Sequence, residues 1–358
     1  MLLRGKCSFA MPVEQMVYRR KDIAVKNLNR IVGFAVLMAL LAFMGCNKPS
    51  QPASEPAKKV KLAILTWVGY GPFFVAKEKG FFRKQGVDVD IVKIEELGAR
   101  HSALISGDVQ FSISTLDTFA NEAAQGLPAV CFLKLDDSCG ADGIVAKKEI
   151  TSIKGLRGKT VAFEKGTPSH FFLLYLMDRE GMSIKDIVPK YMAAPDAGAA
   201  FAAGKVDAAV TWEPWVSKAN QTDFGRVLLT SREKTGLILD VLTVNKDFAS
   251  KNRKTVEGVA RAWFQAVEFC RLNAAEANPI MAKGLGLSTE EFTEMIKGDK
   301  LSDYAENRKC FGIGTAGPAP VLDVFQQAQN IWLREGIITK TVKPEDVLDG
   351  SFLQTLSQ

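Results

Sequence analysis

The chain has 358 residues, 47% of them hydrophobic and 24% charged, with a formal net charge of +6. This length supports two domains with proper cores, and the ordinary apolar content excludes a disordered chain. The basic excess is confined to the start: residues 1–45 hold seven Lys or Arg and two Asp or Glu, and the rest hold 39 against 38. The body is near neutral, so no nucleic-acid partner is expected.

Arg19, Arg20, Lys21, Lys26 and Arg30 make a basic stretch, Ile31–Met44 is an apolar run of 14 residues, and Gly45-Cys46 closes it. Such a run is too short for an ordinary spanning helix. The pattern resembles a bacterial lipoprotein signal, although Phe43 stands where such signals usually carry Leu. It predicts a signal peptide over 1–45, cleavage before Cys46 and a lipid on its thiol, with translation starting at Met1 or Met16. An uncleaved anchor helix is the alternative. Either way the body is exported and membrane-tethered, on the periplasmic or cell-surface side. Residues 46–59 are rich in Pro and Ser and read as a flexible tether.

The body opens with a strand–loop–helix unit. Leu62–Leu65 is a buried strand, Trp67–Gly71 a loop, and Pro72 starts a helix that Gly80 ends. Val87–Ile94 alternates as a strand, and Ala99–Ser106 is a short helix stopped by Gly107. The strand Val109–Ser114 runs into a helix from Asp117 to Gly126, and Ala129–Leu133 is another buried strand. Leu135–Asp142 reads as a loop, and Gly143–Lys147 enters a second lobe. There the opening pattern recurs. Thr160–Phe163 is a strand, Glu164–Thr167 a loop, and Pro168 starts a helix that Gly181 ends. Ser102–Thr115 likewise resembles Ala199–Trp212, with Gly107 and Gly204 in step 97 positions apart. This predicts an internal duplication of an α/β lobe. Leu239–Asn245 is read as the return crossing, and Val256, Val259, Ala260, Trp263, Phe264, Val267 and Cys270 mark an amphipathic helix. Helices near 288–297 and 320–334 and a tail that wraps the first lobe complete the chain. Parallel sheets covered by helices follow from this alternation.

Within the body, Cys131, Cys139, Cys270 and Cys310 allow three full pairings, and their spacing selects none. Cys270 fits a helix core. No CxxC pair, Ser/His/Asp pattern, HExxH, P-loop or GxGxxG is present, so neither catalytic residues nor a metal or cofactor is expected.

The segments KGFFRKQGVDVDIV, ALISGDVQFSIS, VAKKEITSIKGLRGKTVAFEKGTPSHFF, AAFAAGKVDAAVTWEPW and KPEDVLDGSF, in this order, resemble the substrate-binding proteins of ABC importers for nitrate, sulfonates and taurine, a superfamily shared with NMT1/THI5-type proteins. The likeness runs from Val60 to Leu353. It implies a type II periplasmic-binding fold. Two α/β lobes, each a mainly parallel sheet covered by helices, would be joined by two crossover strands, with lobe one formed by 60–143 plus 245–358 and lobe two by 144–244. It also implies a monomer that closes near Gly143 and Leu242 on a small molecule and delivers it to permease and ATPase subunits. A sensing lipoprotein without transport is an alternative. A THI5-type enzyme is a poorer fit, because its Cys-rich iron motif is missing.

The resemblance places ligand contacts at Trp67 and Tyr70, at Ser114 and Thr115, at Thr167 and Ser169 on a helix start, at Trp212 and Glu213, and at Asp240. Thr167 also fits a plain N-cap. His170 could face the cleft, or be a structural residue of its helix. Asp136 in the DDSCGAD loop joins the acids Glu213 and Asp240, whereas the matched loops carry Lys165 as their one cation. Carboxylates and aromatics suit a cationic nitrogen solute such as an amine, guanidine or aminopyrimidine. A sulfonate, taurine or nitrate ligand is the alternative.

Overall fold

A computed structural model describes residues 57–356 except Thr315. The signal peptide, Cys46 and all but the end of the tether lie outside these residues. Lys58 and Lys59, expected in the tether, already belong to the first strand.

The described residues form two sheets, the first of six strands and the second of five. In the first sheet β1 (Lys58–Ile64) lies parallel to β2 (Val87–Lys93) and β3 (Phe111–Thr115). β10 (Leu239–Asn245) runs antiparallel between β3 and β4 (Ala129–Ser138), and β11 (Asp299–Leu301) edges β4. In the second sheet β6 (Thr160–Phe163) is parallel to β7 (Val188–Tyr191) and β8 (Ala208–Trp212). β5 (Asp142–Lys147) runs antiparallel between β8 and β9 (Gly225–Thr230). Both sheets are therefore mixed, each with a majority of strands in one direction.

The duplication is visible in the local structure. In lobe one, helix α1 (Gly71–Glu78) follows β1 with Pro72 in its first turn, and Gly80 beyond it adopts φ +71°. α2 (Leu97–Ser106) stops at Gly107, φ +81°, and α3 (Leu116–Ala124) follows β3. In lobe two, α4 (Pro168–Arg179) follows β6 with Pro168 in its first turn, α5 (Ala194–Ala202) follows β7, and α6 (Trp215–Asn220) follows β8. The amphipathic helix α7 (Arg253–Leu272) buries Val256, Val259, Ala260, Trp263, Val267 and Cys270 against lobe one, as its spacing predicts. α8 (Ala274–Leu285) packs beside α1.

Two boundaries differ from the sequence reading. Asp142 and Gly143 pair with Trp212 and Thr211, so they belong to lobe two. Leu239–Asn245 pairs along its whole length with β3 and β4 and is an inner strand of lobe one, not a crossing. The connections between the sheets are residues 139–141 and 231–238, so Gly143 and Leu242 sit inside sheets rather than at hinges. Ser138 Oγ meets Ser231 Oγ at 2.8 Å, and Ser231 Oγ accepts from Gly140 N at 2.7 Å, stitching the two connections together. The acid-rich loop at 135–138 is also strand, because β11 and β10 supply partners on both sides.

The C-terminal part holds both lobes. α9 (Tyr304–Cys310) docks on β4 through Asn307, whose side chain accepts from Lys134 N and donates to Lys134 O. α10 (Pro320–Arg334) places Phe325 against Phe119 and Trp332 against Phe171. The tail then bonds back to β4 at Cys131 through Val347 and Asp349. Cys131, Cys139, Cys270 and Cys310 are free thiols. Among the described residues no helix is long and apolar enough to cross a membrane.

Candidate functional site

A cavity of about 250 Å³ lies between the lobes. Lobe one contributes Trp67 and Tyr70 after β1, Arg100 on α2, Ser114 and Thr115 at the end of β3, Thr118 on α3, and Asp240 on β10. Lobe two contributes Asp142 at the start of β5, Thr167 and Pro168 at the start of α4, Pro195 on α5, and Trp212 at the end of β8. The carboxyl ends of parallel strands and the helix starts after them therefore converge on one space, where open α/β folds bind ligands.

Seven expected residues meet here: Trp67, Tyr70, Ser114, Thr115, Thr167, Trp212 and Asp240. Four others are placed elsewhere. Glu213 accepts from Ser217 N (3.0 Å) and Ser217 Oγ (2.8 Å), so it caps α6 on the far side of the Trp212 turn. His170 stacks on Phe163 at 4.9 Å and accepts from Gly166 N through Nδ1 at 3.2 Å. It packs on Trp332 and is a structural residue; burial, then the Lys165 charge, lowers its pKa to about 4. Ser169 is buried beneath the helix start, with an unpartnered hydroxyl. Asp136 is buried below the cavity beside Asp299 and Asp240; burial and then the Asp299 charge push its carboxyl well above the usual range. Thr167 occupies the N-cap position without a side-chain cap bond, and its hydroxyl donates to Glu164 O at 2.9 Å.

Arg100 was not anticipated, and it changes the chemistry. It is 5% exposed, and its Nη1 donates to Ile94 O (2.9 Å) and Glu95 O (2.8 Å). Among the described residues its Nε has no partner, and neither does the indole nitrogen of Trp67. A buried guanidinium held by carbonyls rather than a carboxylate keeps a donor edge for an anion. The sequence did carry a signal. Arg100 lies one helical turn before Leu104, and these two are the buried residues of α2.

The acids divide into two groups. Glu95 accepts from Thr66 N and Oγ1, Glu96 caps α2 at Gly98 N and Ala99 N, and Glu164 accepts from Ala194 N at the start of α5. These three are satisfied by the fold itself. Asp142 and Asp240 are buried at the cavity wall without a Lys or Arg partner among the ion pairs of the described residues. Burial raises Asp142 to about 6. Burial and then the Asp136 charge push Asp240 well up, against the Tyr70 hydroxyl that donates to it.

The family described as NMT1/THI5 like matches residues 67–277, more than half of the chain. The chain belongs to the NMT1/THI5-like family. This NMT1/THI5-like chain is 32% identical over 201 residues to a putative aliphatic sulfonates-binding protein of Escherichia coli, a match covering 56% of this chain and 59% of that protein. It is 29% identical over 235 residues to the taurine-binding periplasmic protein of the same organism, covering 64% and 70%. Its fold superposes on the crystal structure of the periplasmic aliphatic sulphonate binding protein SsuA from Escherichia coli with a TM-score of 0.68 at 21% identity, covering 83% of this chain and 99% of that one. The fold is that of a two-lobed, type II periplasmic binding protein.

Proposed function

We propose that this protein is the extracytoplasmic solute-binding component of an ABC importer, trapping a small organic sulfonate between its lobes and handing it to a permease. The observation that carries this is the buried Arg100 with its unpartnered Nε, beside the unpartnered Trp67 indole. A sulfonate brings three acceptor oxygens and one negative charge, matching those donors. The relatives named for sulfonates and taurine support the same class. A solute bearing only a cationic nitrogen gives way to this reading, because it would leave those donors unsatisfied and set its charge against Arg100. Closure is assigned to residues 139–141 and 231–238, and ligand contact with both lobes favours the closed state. The lipid anchor on Cys46 and the absence of a nucleic-acid partner complete the proposal; Cys46→Ser would release the protein from the membrane fraction.

Calorimetric titration with ethanesulfonate, 2-aminoethanesulfonate, nitrate, guanidinium and methylammonium tests the ligand class. Binding of the sulfonates, with no heat from guanidinium or methylammonium, is expected. Tight guanidinium or amine binding with no sulfonate binding would overturn it.

A further inference from the structure

The two lobes meet in two ways that differ in chemistry. Around the cavity the facing walls are largely polar: Arg100, Ser114, Thr115, Thr118 and Asp240 on one side, Asp142 and Thr167 on the other. Such walls can part, because water takes over the polar groups that are separated. Elsewhere the contact is apolar. One core runs without a break from Phe119 and Ala123 of lobe one, through Phe325, Ile331 and Trp332 of α10, to Phe171 and Leu174 of lobe two.

α10 is fastened to lobe one. The indole N–H of Trp332 donates to Asp117 O on α3 at 2.8 Å, and Phe325 packs on Phe119 with ring centroids 6.2 Å apart. The buried Gln329 accepts from Val342 N at 2.7 Å and donates to Val342 O at 3.0 Å, which ties the helix to the tail that returns to β4. From this base the same Trp332 ring reaches lobe two, 5.4 Å from His170 and 5.8 Å from Phe171 on α4. Arg334 Nη1 pairs with Asp178 Oδ1 on α4 at 3.0 Å, and Asn121 Nδ2 on α3 donates to Gly166 O at 3.4 Å. Trp332 and Phe171 are fully buried. Pulling α10 off α4 would give both rings to water, a cost that parting the polar walls does not carry.

The lobes are thus tied at two separate places: at the connections stitched by Ser138 and Ser231, and at Trp332. A rigid turn that strains neither tie pivots about a line through both. The connections leave from β4 and β10 in one sheet and from β5 and β9 in the other, whereas β2 and β7 are the outer strands at the opposite ends. α2 and α5 follow those outer strands, and Glu96, Leu97, Ala193 and Pro195 at their starts line the cavity.

We propose that α10 is an axle: its Trp332 contact with α4 persists in the solute-free protein, the lobes turn about the line from Ser231 to Trp332, and the solute enters between the starts of α2 and α5. This rests on the reading of the protein as one that opens and closes around a solute, and adds where it opens.

Pulsed electron paramagnetic resonance measures both ends. Spin labels on ketone-bearing amino acids, which spare the cysteines, are placed in the full chain as two pairs at exposed positions: Gln327 with Arg179 across the α10–α4 contact, and Ser102 with Asp196 across the mouth. Without solute, the first pair is expected to give a narrow distance distribution and the second a broad one. Ethanesulfonate should shorten and narrow the mouth distance and leave the α10–α4 distance where it was. A first pair as broad as the second, or one that shifts on binding as much as the mouth does, overturns the proposal. So do narrow distributions for both pairs without solute, because the lobes then do not part. If ethanesulfonate neither moves the mouth pair nor gives calorimetric heat, the sulfonate reading fails, while the two widths in the solute-free protein still decide the axle.

Discussion

Replacing Arg100 by Lys isolates what the guanidinium contributes beyond its charge. Nη1 is already engaged by Ile94 O and Glu95 O, so what Arg100 can offer the cavity it lines is the rest of its guanidinium. A lysine ammonium is a compact charge that the two carbonyls would hold, and it has no second edge to offer. The expected loss is one charge-assisted hydrogen bond to the sulfonate, about 1.5–3 kcal/mol. That is about tenfold to roughly 150-fold in Kd. Because the carbonyls keep a partner, thermal unfolding of the ligand-free variant should change little. Calorimetric titration of ethanesulfonate into both proteins reads the effect. A folded Arg100→Lys protein that binds within about threefold of wild type would refute the reasoning and remove Arg100 from the ligand.

Glu213→Ala should leave sulfonate affinity unchanged and cost about 1 kcal/mol of stability through the lost cap on α6, read by denaturant unfolding; a large loss of affinity would return Glu213 to the site. Gly69→Ala should destabilise by about 1–3 kcal/mol, since its Cβ would run into Asp136 Oδ2 and stand 2.7 Å from Asp299 Oδ2; an unchanged denaturation midpoint would contradict that packing. Asp142 is held at about 6 against an ordinary 3.8, so the folded protein binds its proton more tightly than the unfolded chain. Its contribution, about 3 kcal/mol, is present below pH 4 and lost as pH rises through about 6. Asp142→Asn should flatten the stability profile over that range, and an unaltered profile would exclude the effect.

Much of the site was legible because strand–loop–helix units put their functional groups at the loop. Trp67, Tyr70, Ser114, Thr115 and Thr167 follow the ends of recognisable strands, and they converge. What failed to show was anything set by side-chain direction. Glu213 sits next to Trp212 yet turns back to cap α6, and no periodicity reveals that. Arg100 was passed over because it lies within a helix rather than a matched loop. Asp136 was read as a ligand contact in a loop because β11, which pairs with its strand, comes more than 150 positions later. The lobe boundary was misplaced for a related reason. A strand entirely buried between two others carries the same apolar run as a crossing segment, and pairing alone tells them apart.

The position of β10 governs the order in which the protein can be assembled. When Ser138 leaves the ribosome, β4 has no sheet partner, because both of its neighbours, β10 and β11, are still to be made. The second sheet is continuous in sequence from Asp142 to Thr230 and has everything it needs beforehand. Residues 58–138 thus wait, open-edged, for a strand encoded a hundred codons later, which gives the nascent chain a built-in delay before it locks.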